Sequence, residues 1–378
     1  MEKLIIFGGS FDPIHNGHLR MARGASLLLN ADVCFVPSAA PRWKSPSAKK
    51  NDRFNMLKIA IEQSGLSSFF ISDFEMKKDE VINYTIDTIV FFAKNYPAKK
   101  LYLLIGADQV NQFKDWKCAD EISKLADVIY VNRDDTPIDS TIVERYKMTK
   151  LVIKNIGDVS STKIRNLQSL DTPSKVVDYI EDNNLYYIEK IRSYDNNERF
   201  NHCKQVAHLA QLICHKNKLS TEISNKAYIA GLLHDIGKNY NLEELQLIMK
   251  TSFPEYLDIP SFAYHQFAGS EIAQKQFGIN DEEILDAIKF HATGKKFMSL
   301  LGKIIYCADK IEPTRGFDST ILINECLKNA ENGFLKVLEA NRDYLISEDK
   351  NIYNRLTLDC MDLYLGAKKS NKENRKNK

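Results

Sequence analysis

Six short apolar runs recur through the first half of the chain: KLIIFGG (3–9), DVCFVPS (32–38), FFISDF (69–74), KLYLLIGAD (100–108), DVIYVNR (127–133) and KLVIKNI (150–156). Longer helical stretches such as NGHLRMARGASLLL and DRFNMLKIAIEQSG lie between them. No other feature constrains the fold as much. Strands that alternate with helices lie parallel, because each crossover returns the chain to the same end of the sheet. The rhythm predicts a mostly parallel sheet covered by helices, with ligands at the carboxyl ends of the strands. Beyond about residue 190 the strand signals stop, and helix is broken by turns at NKLS (217–220), SFPEYLDIP (252–260) and EPTRGF (312–317). The expected fold class is therefore α/β plus all-α. One unit is expected over 1–190, a helical unit over 191–366, and a basic solvated tail over 367–378, where six cations face one acid.

Composition limits the partners. Lysine and arginine number 52 against 50 aspartates and glutamates, and a net charge of +2 gives no field for nucleic acid. The seven cysteines, Cys34, Cys118, Cys203, Cys214, Cys307, Cys326 and Cys360, are odd in number and lack CxxC spacing. They read as small core residues in a reducing compartment. No run approaches the ~18 apolar residues of a membrane span, and MEKLIIFGGSFDP enters a strand directly rather than a cleavable signal. The expected location is the cytoplasm, with no membrane partner. Oligomeric state is left open by the sequence.

The first run ends in Gly8, Gly9 and Ser10, and His15, Asn16, Gly17 and His18 then open a helix. Glycines let backbone N–H groups approach a phosphate, and a helix N-terminus favours anions. Neither a GxGxxG nor a Walker spacing is present. Two histidines three apart share a helix face and can address one phosphate together. The spacing alone also suits a glycine turn with two surface histidines. Further along, Ser160, Ser161 and Thr162 offer hydroxyls at a helix start, with Lys163 or Arg165 placed to neutralise phosphate.

GSFDPIHNGH (9–18) resembles the HxGH signature of nucleotidyltransferases, and DVSSTKIR (158–165) resembles their second signature. NYTIDTI (83–89), LLIGADQVNQFKDWKCADEI (103–122) and VVDYIEDNNLY (176–186) narrow the likeness to nicotinate-nucleotide adenylyltransferases, across nearly all of residues 1–189. The resemblance implies a Rossmann-like domain that joins nicotinate mononucleotide to the AMP part of ATP, with Mg²⁺ on the polyphosphate. It implies that His15, His18 and Arg165 serve catalysis. ATP would be held by Gly8, Gly9, Ser10, Phe11, His15, His18, Gly106, Asp108, Ser160, Ser161, Thr162 and Arg165. Lys44, Thr85 and Trp116 would hold the nicotinate mononucleotide. The chain departs from the family's usual Pro-Pro-His-Lys in having SAAPRWKS, where Arg42 and Trp43 precede the matching Lys44.

In the second half GLLHDIGK (231–238) puts His234 and Asp235 directly behind two leucines. Burying such a pair without partners costs several kcal/mol or more, so something must compensate. On the helix ERFNHCKQVAHLAQLICHKNK, His202 shares its inward face with Val206, Leu209 and Ile213, whereas His208 and His215 fall on the solvent side. Taken with Asp309 in KIIYCADKIEP, three helices would bring nitrogen and carboxylate ligands to one divalent cation.

The pattern resembles the HD-domain phosphohydrolases. AGLLHDIGK, AYHQFAG and AIKFHATGKKFMSLLGKIIYCADKIEPTRGF narrow it to the branch that cleaves diadenosine tetraphosphate symmetrically into two ADP and favours iron. The likeness covers roughly 192–366 and implies metal ligation by His202, His234, Asp235 and Asp309, with Asp235 serving catalysis. His265, His291 and Arg315 would face the polyphosphate, His265 as a phosphate or second-metal contact. The expected partners are ATP, nicotinate mononucleotide and diadenosine tetraphosphate. A second reading makes the helical unit a nucleotide sensor without turnover, or a hydrolase of other specificity.

Overall fold

The computed structural model describes residues 2–40, 46–77, 84–132, 136–348 and 354–366. Lys44 with Arg42 and Trp43, Asn83, and the tail 367–378 lie outside the described residues. The chain forms two compact units, Met1–Ile188 and Glu189–Lys378.

All six apolar runs of the first unit yield strands: β1 (Lys3–Gly9), β2 (Asp32–Pro37), β3 (Phe69–Ile71), β4 (Lys100–Gly106), β5 (Asp127–Val131) and β6 (Thr149–Leu151). Every pairing is parallel and the order is β3-β2-β1-β4-β5-β6. Leu4, Ile5 and Ile6 are all buried, as are Val33, Cys34 and Phe35. Both faces of the sheet are thus covered, which is why its strands read as unbroken apolar runs rather than alternating ones. On one face Leu4, Ile6, Leu103, Ile105 and Val128 pack against Ile89 and Phe92 of the helix Thr85–Asn95. The strand order reverses between β1 and β4. An open parallel sheet parts its loops at such a point, leaving a crevice beyond the carboxyl ends.

A buried arginine ties the loops that border this crevice. Arg53, on the helix Lys50–Ser64, donates through Nη1 to the carbonyls of Ser10 (2.6 Å) and Ser38 (2.7 Å) and through Nη2 to that of Ala39 (3.1 Å). It is 1% exposed. One guanidinium therefore fixes the loop after β1 against the loop after β2. Asp12 adds a second tie, accepting from Ser47 N, Ala48 N and the Tyr186 hydroxyl.

Among the described residues the second unit is helical. Its helices include Asn197–Lys216, Thr221–Leu233, Tyr264–Phe277, Glu282–Lys289 and Leu300–Ile311. Asn196 caps the first of these by accepting from Arg199 N, and Ser220 caps the second through Ile223 N, so each helix start is marked in sequence by a residue that favours that position. Val206, Leu209 and Ile213 are buried as the periodicity predicts. His215 is exposed, but His208 is half-buried with its ring edge-on to Tyr228 at 5.9 Å. Its expected solvent position is corrected by that tyrosine, which the neighbouring helix supplies. The seven cysteines are unpaired, and all are buried except Cys118. No helix among the described residues is long and apolar enough to cross a membrane.

Replacing Arg53 with Met removes the donors of three main-chain carbonyls while keeping most of the side-chain volume. The expected loss is about 2–4 kcal/mol, read as a shift of the first unit's transition in chemical denaturation of the full chain. A transition unmoved from wild type would show that the loops do not depend on this guanidinium.

Candidate active sites

The crevice of the first unit holds a cavity of about 320 Å³. Gly8, Gly9 and Ser10 border it from the end of β1, Asp108 from the short helix after β4, and Thr85 and Trp116 line it as well. Six of the residues named from the sequence are thereby brought to one space. Gly106 ends β4 and begins the short helix Ala107–Val110 that carries Asp108.

His15 and His18 are arranged differently from the expected pair on one helix face. His15 precedes the helix Asn16–Leu29 as its cap, its Nδ1 accepting from His18 N, while His18 Nδ1 accepts from His15 N, both at 3.3 Å. Their rings stack with centroids 3.6 Å apart. Because each Nδ1 accepts a main-chain proton, each neutral ring carries its own proton on Nε2. The cap thus fixes both rings as N–H donors, suited to an anion. Glycine at position 17 permits this, since a Cβ there would meet Val159 Cγ1 at 2.8 Å and His15 Nδ1 at 2.9 Å.

The second motif docks on the first. Ser161 Oγ donates to Pro13 O (2.8 Å) and Arg165 Nη1 to Asp12 O (2.6 Å), with Thr162 Oγ1 accepting from Arg165 Nη2. Ser160 caps the short helix Ser161–Arg165, and Lys163 pairs with Asp158 at 2.6 Å. Of the two cations weighed for phosphate, Arg165 is the one built into the loop of the first motif. Phe11, expected among the ATP contacts, has its ring in the core. Its ring is 1% exposed and packs edge-on to Phe7 and His18, with its backbone at φ 44°. Its ring and that of His18 lie with centroids 5.2 Å apart.

In the second unit the helix Thr221–Leu233 stops just before the HD pair, and His234 and Asp235 lie in the turn that follows. The resulting position is informative. His234 and His291 sit just past helix ends and Asp309 lies in the last turn of Leu300–Ile311. Three helix C-termini converge, and their carbonyl ends favour a cation.

Side-chain geometry divides the cluster in two. His202 Nε2 is 3.3 Å from His234 Nε2, 3.8 Å from Asp235 Oδ2 and 3.3 Å from Asp309 Oδ1. His265 Nε2 is 3.3 Å from His291 Nε2 and 3.5 Å from Asp235 Oδ1, to which His291 Nε2 stands at 3.3 Å. Asp235 therefore presents one oxygen to each pair of imidazoles. His265 and His291, expected to face the polyphosphate, also have the placement of ligands for a second cation.

The ring protons decide what this cluster can hold. Nδ1 of His234, His265 and His291 donates to the carbonyls of Gly231, Phe262 and Ile288, each at 2.7 Å. His202 Nδ1 donates to Glu312 Oε1 at 3.0 Å. Carbonyls and carboxylates only accept, so all four Nε2 atoms are left with lone pairs, facing one another in pairs at 3.3 Å. Two lone pairs at that distance repel, and a divalent cation resolves the repulsion. Asp235 Oδ1 is buried with no hydrogen-bond partner among the described residues. The donor set fits a metal. Burial opposes the charge on Asp235, but the positive charge around it, with Lys238 paired to it at 2.7 Å, holds the carboxyl well below its usual range. Burial pushes His265 down to about 3 and lowers His291 as well, so both rings stay neutral as ligands must.

Close backbone approach sets the spacing. A Cβ at Gly237 would lie 2.4 Å from His265 O and 2.7 Å from Gly269 N. Only glycine lets the HD turn reach the helix that carries His265. Beyond the cluster a second cavity of about 210 Å³ opens, lined by His265, His291, Asp309 and Arg315 together with Lys238 and Lys310.

Residues 6–167 match the cytidylyltransferase-like family and residues 199–314 the HD domain. Over 349 residues, 89% of this chain and 97% of the relative, the sequence is 32% identical to a Mycoplasma genitalium protein named probable nicotinate-nucleotide adenylyltransferase/Ap4A hydrolase. The chain belongs to this two-domain family. A Mycoplasma pneumoniae member of the same name is 30% identical over 357 residues, 92% of this chain and all of the relative. Among solved structures, a Clostridium acetobutylicum protein described as a predicted HD superfamily hydrolase involved in NAD metabolism is 30% identical. It covers 48% of this chain and 97% of its own, with a TM-score of 0.42.

Sequence reasoning passed over Glu312. This carboxylate is 1% exposed and accepts from His202 Nδ1, from Thr314 N at 2.7 Å and from the Thr314 hydroxyl. Its only sequence signal was its place three residues after Asp309, within a segment read as a turn. Replacing Glu312 with Gln keeps the shape and removes the charge that orients His202. The expected result is a roughly 10–100-fold loss of divalent metal affinity, read by competition with a chelator. Equal affinity in the variant would show that His202 is oriented without Glu312.

Proposed function

We propose that the first unit transfers the adenylyl group of ATP to nicotinate mononucleotide, and that the second hydrolyses diadenosine tetraphosphate to two ADP. The observation that carries this reading is the opposite placement of ring protons in the two units: N–H donors at the start of the helix after β1, lone pairs around Asp235. Donors suit an anion and lone pairs suit a cation.

In the first unit a phosphate oxygen of the mononucleotide attacks the α-phosphorus of ATP, supplied with Mg²⁺. The bond to the β-phosphate oxygen breaks and pyrophosphate leaves. Nothing on the protein needs to become covalently attached. His15 and His18 offer Nε2–H groups to the charge that builds on the phosphoryl oxygens, and Arg165, fixed by Asp12 O, adds a guanidinium. Gly8, Gly9 and Ser10 admit the nucleotide to the end of β1, and Asp108 and Trp116 border the space it enters.

In the second unit His202, His234, Asp235 and Asp309 would hold one divalent cation, with Asp235, His265 and His291 placed for another. Such ions lower the pKa of water toward about 7 and draw charge from phosphoryl oxygens. Imidazole-rich sets with few carboxylates suit iron among several metals, and iron is the assignment proposed here. Lys238, Lys310 and Arg315 line the cavity beside the ligands and supply positive charge along a polyphosphate. Water adds to one central phosphorus, the bridging oxygen departs with the other half, and two ADP result.

Incubation with nicotinate mononucleotide, ATP and Mg²⁺ is expected to release pyrophosphate and give the deamido dinucleotide. Absence of product defeats the first assignment. Diadenosine tetraphosphate with Fe²⁺ is expected to give ADP alone, whereas AMP and ATP in equal amounts would mean asymmetric cleavage. The Asp235→Ala variant is expected to lose hydrolysis to background, because it removes the carboxylate that both ligand groups share. Its pyrophosphate release should remain within about twofold of wild type. Hydrolysis retained in that variant would remove the metal assignment.

A further inference from the structure

The cavity beside the ligands of the second unit has a wall that a polyphosphate does not explain. Lys238, Lys310 and Arg315 suit phosphates, and His265, His291 and Asp309 suit a cation. Phe262, Asn341 and Leu345 line the same space. The phenylalanine is 61% exposed. A single exposed apolar side chain is ordinary on a protein surface, but this one stands in a cavity otherwise furnished for charge.

The place of that ring is fixed by the site itself. Phe262 lies in the short turn Ser261–Ala263, and its carbonyl accepts from His265 Nδ1 at 2.7 Å, the bond that turns Nε2 of the imidazole toward Asp235. Ala263 N donates to Pro260 O at 2.9 Å and the Tyr264 hydroxyl donates to Leu257 O at 3.0 Å, so the turn is anchored on both sides. The backbone that orients a ligand therefore also presents an aromatic side chain to the cavity. Asn341 and Leu345 are one turn apart on the helix Ala330–Ser347 and share a face. Asn341 Nδ2 donates to the Tyr306 hydroxyl at 2.9 Å, which leaves the amide oxygen as an acceptor that a ligand can use. A flat apolar ring, an aliphatic side chain and an amide acceptor suit a purine with an exocyclic amine, which offers a face to stack and an edge to donate.

We infer that one adenine of diadenosine tetraphosphate stacks on the exposed ring of Phe262, while its phosphates run along Lys238, Lys310 and Arg315. This rests on the hydrolase reading above. Base and phosphates are then read by different groups: the cations hold any polyphosphate, and Phe262 adds affinity only for one that bears a nucleoside.

The experiment uses the full-length protein loaded with Fe²⁺ and measures KM for diadenosine tetraphosphate beside Ki for inorganic tripolyphosphate, which carries phosphates without a base. Phe262→Ala is expected to raise KM at least about fivefold, with kcat and the Ki of tripolyphosphate within about twofold of wild type. Phe262→Trp should restore the KM, and Phe262→Leu should not, because leucine keeps apolar bulk without a flat π face. An unchanged KM in Phe262→Ala overturns the inference, as does a parallel rise in the Ki of tripolyphosphate, or recovery by leucine equal to that by tryptophan. Metal affinity, read by competition with a chelator, should be the same in every variant, because the carbonyl and not the ring holds His265. A weakened metal would place the effect on that ligand and also overturn the inference. A wild type that releases no ADP from diadenosine tetraphosphate would defeat the hydrolase reading and the inference with it, whereas the other adverse outcomes defeat the inference alone.

Discussion

Asp235 is a buried carboxylate whose two oxygens face two separate pairs of imidazoles, and most of the second unit can be understood as what keeps it there. At 1% exposure its charge has Lys238 as a direct partner at 2.7 Å. Each of the four imidazoles is turned by a hydrogen bond on its far nitrogen, three to carbonyls within three residues in sequence and one to Glu312. Helix ends deliver the residues, and Gly237 lets the HD turn come close enough to His265. Removing any one of these leaves the others holding a charge that burial alone would not tolerate.

The first unit uses the same side chain in the opposite sense. There His15 and His18 accept main-chain N–H groups on Nδ1 through a reciprocal cap, and the proton is left on Nε2. A histidine has one proton to place when neutral, and its backbone partner decides where. A helix N-terminus supplies N–H groups and so makes donors of the rings. The carbonyls three residues upstream of His234, His265 and His291 make acceptors of theirs. Local backbone geometry thereby selects an anion for one unit and a cation for the other.

Much of this was legible from the chain itself. The six strands stand where the apolar runs stand, because a sheet buried on both faces imposes a continuous apolar signal. Gly8, Gly9, Ser10, Asp108, Thr85 and Trp116 lie around one cavity. What the sequence could not show was direction. His15 and His18 at three-residue spacing suggested a shared helix face, whereas His15 is the cap, a distinction that depends on where the helix begins. Phe11 sat within a recognisable motif, but its ring is core. His208 was assigned to solvent from one helix's wheel, and the tyrosine that covers it belongs to another helix. Glu312 was invisible for a related reason: an orienting carboxylate has no spacing of its own, and only the turn after Asp309 brings it to His202.

The cations beside the metal ligands complete the electrostatic picture of the second unit. Lys238 pairs with Asp235 at 2.7 Å, and Lys310 pairs with Asp309 at 2.8 Å, where Arg315 also bonds. These are the same carboxylates that face the imidazole nitrogens. A divalent ion on them would draw on negative charge that the three cations otherwise share, weakening each cation's hold on its acid. Lys238, Lys310 and Arg315 all border the adjoining cavity. Charge released from the carboxylates in this way is presented where a polyphosphate would lie, so that ligation by the acids and phosphate binding by the bases favour one another.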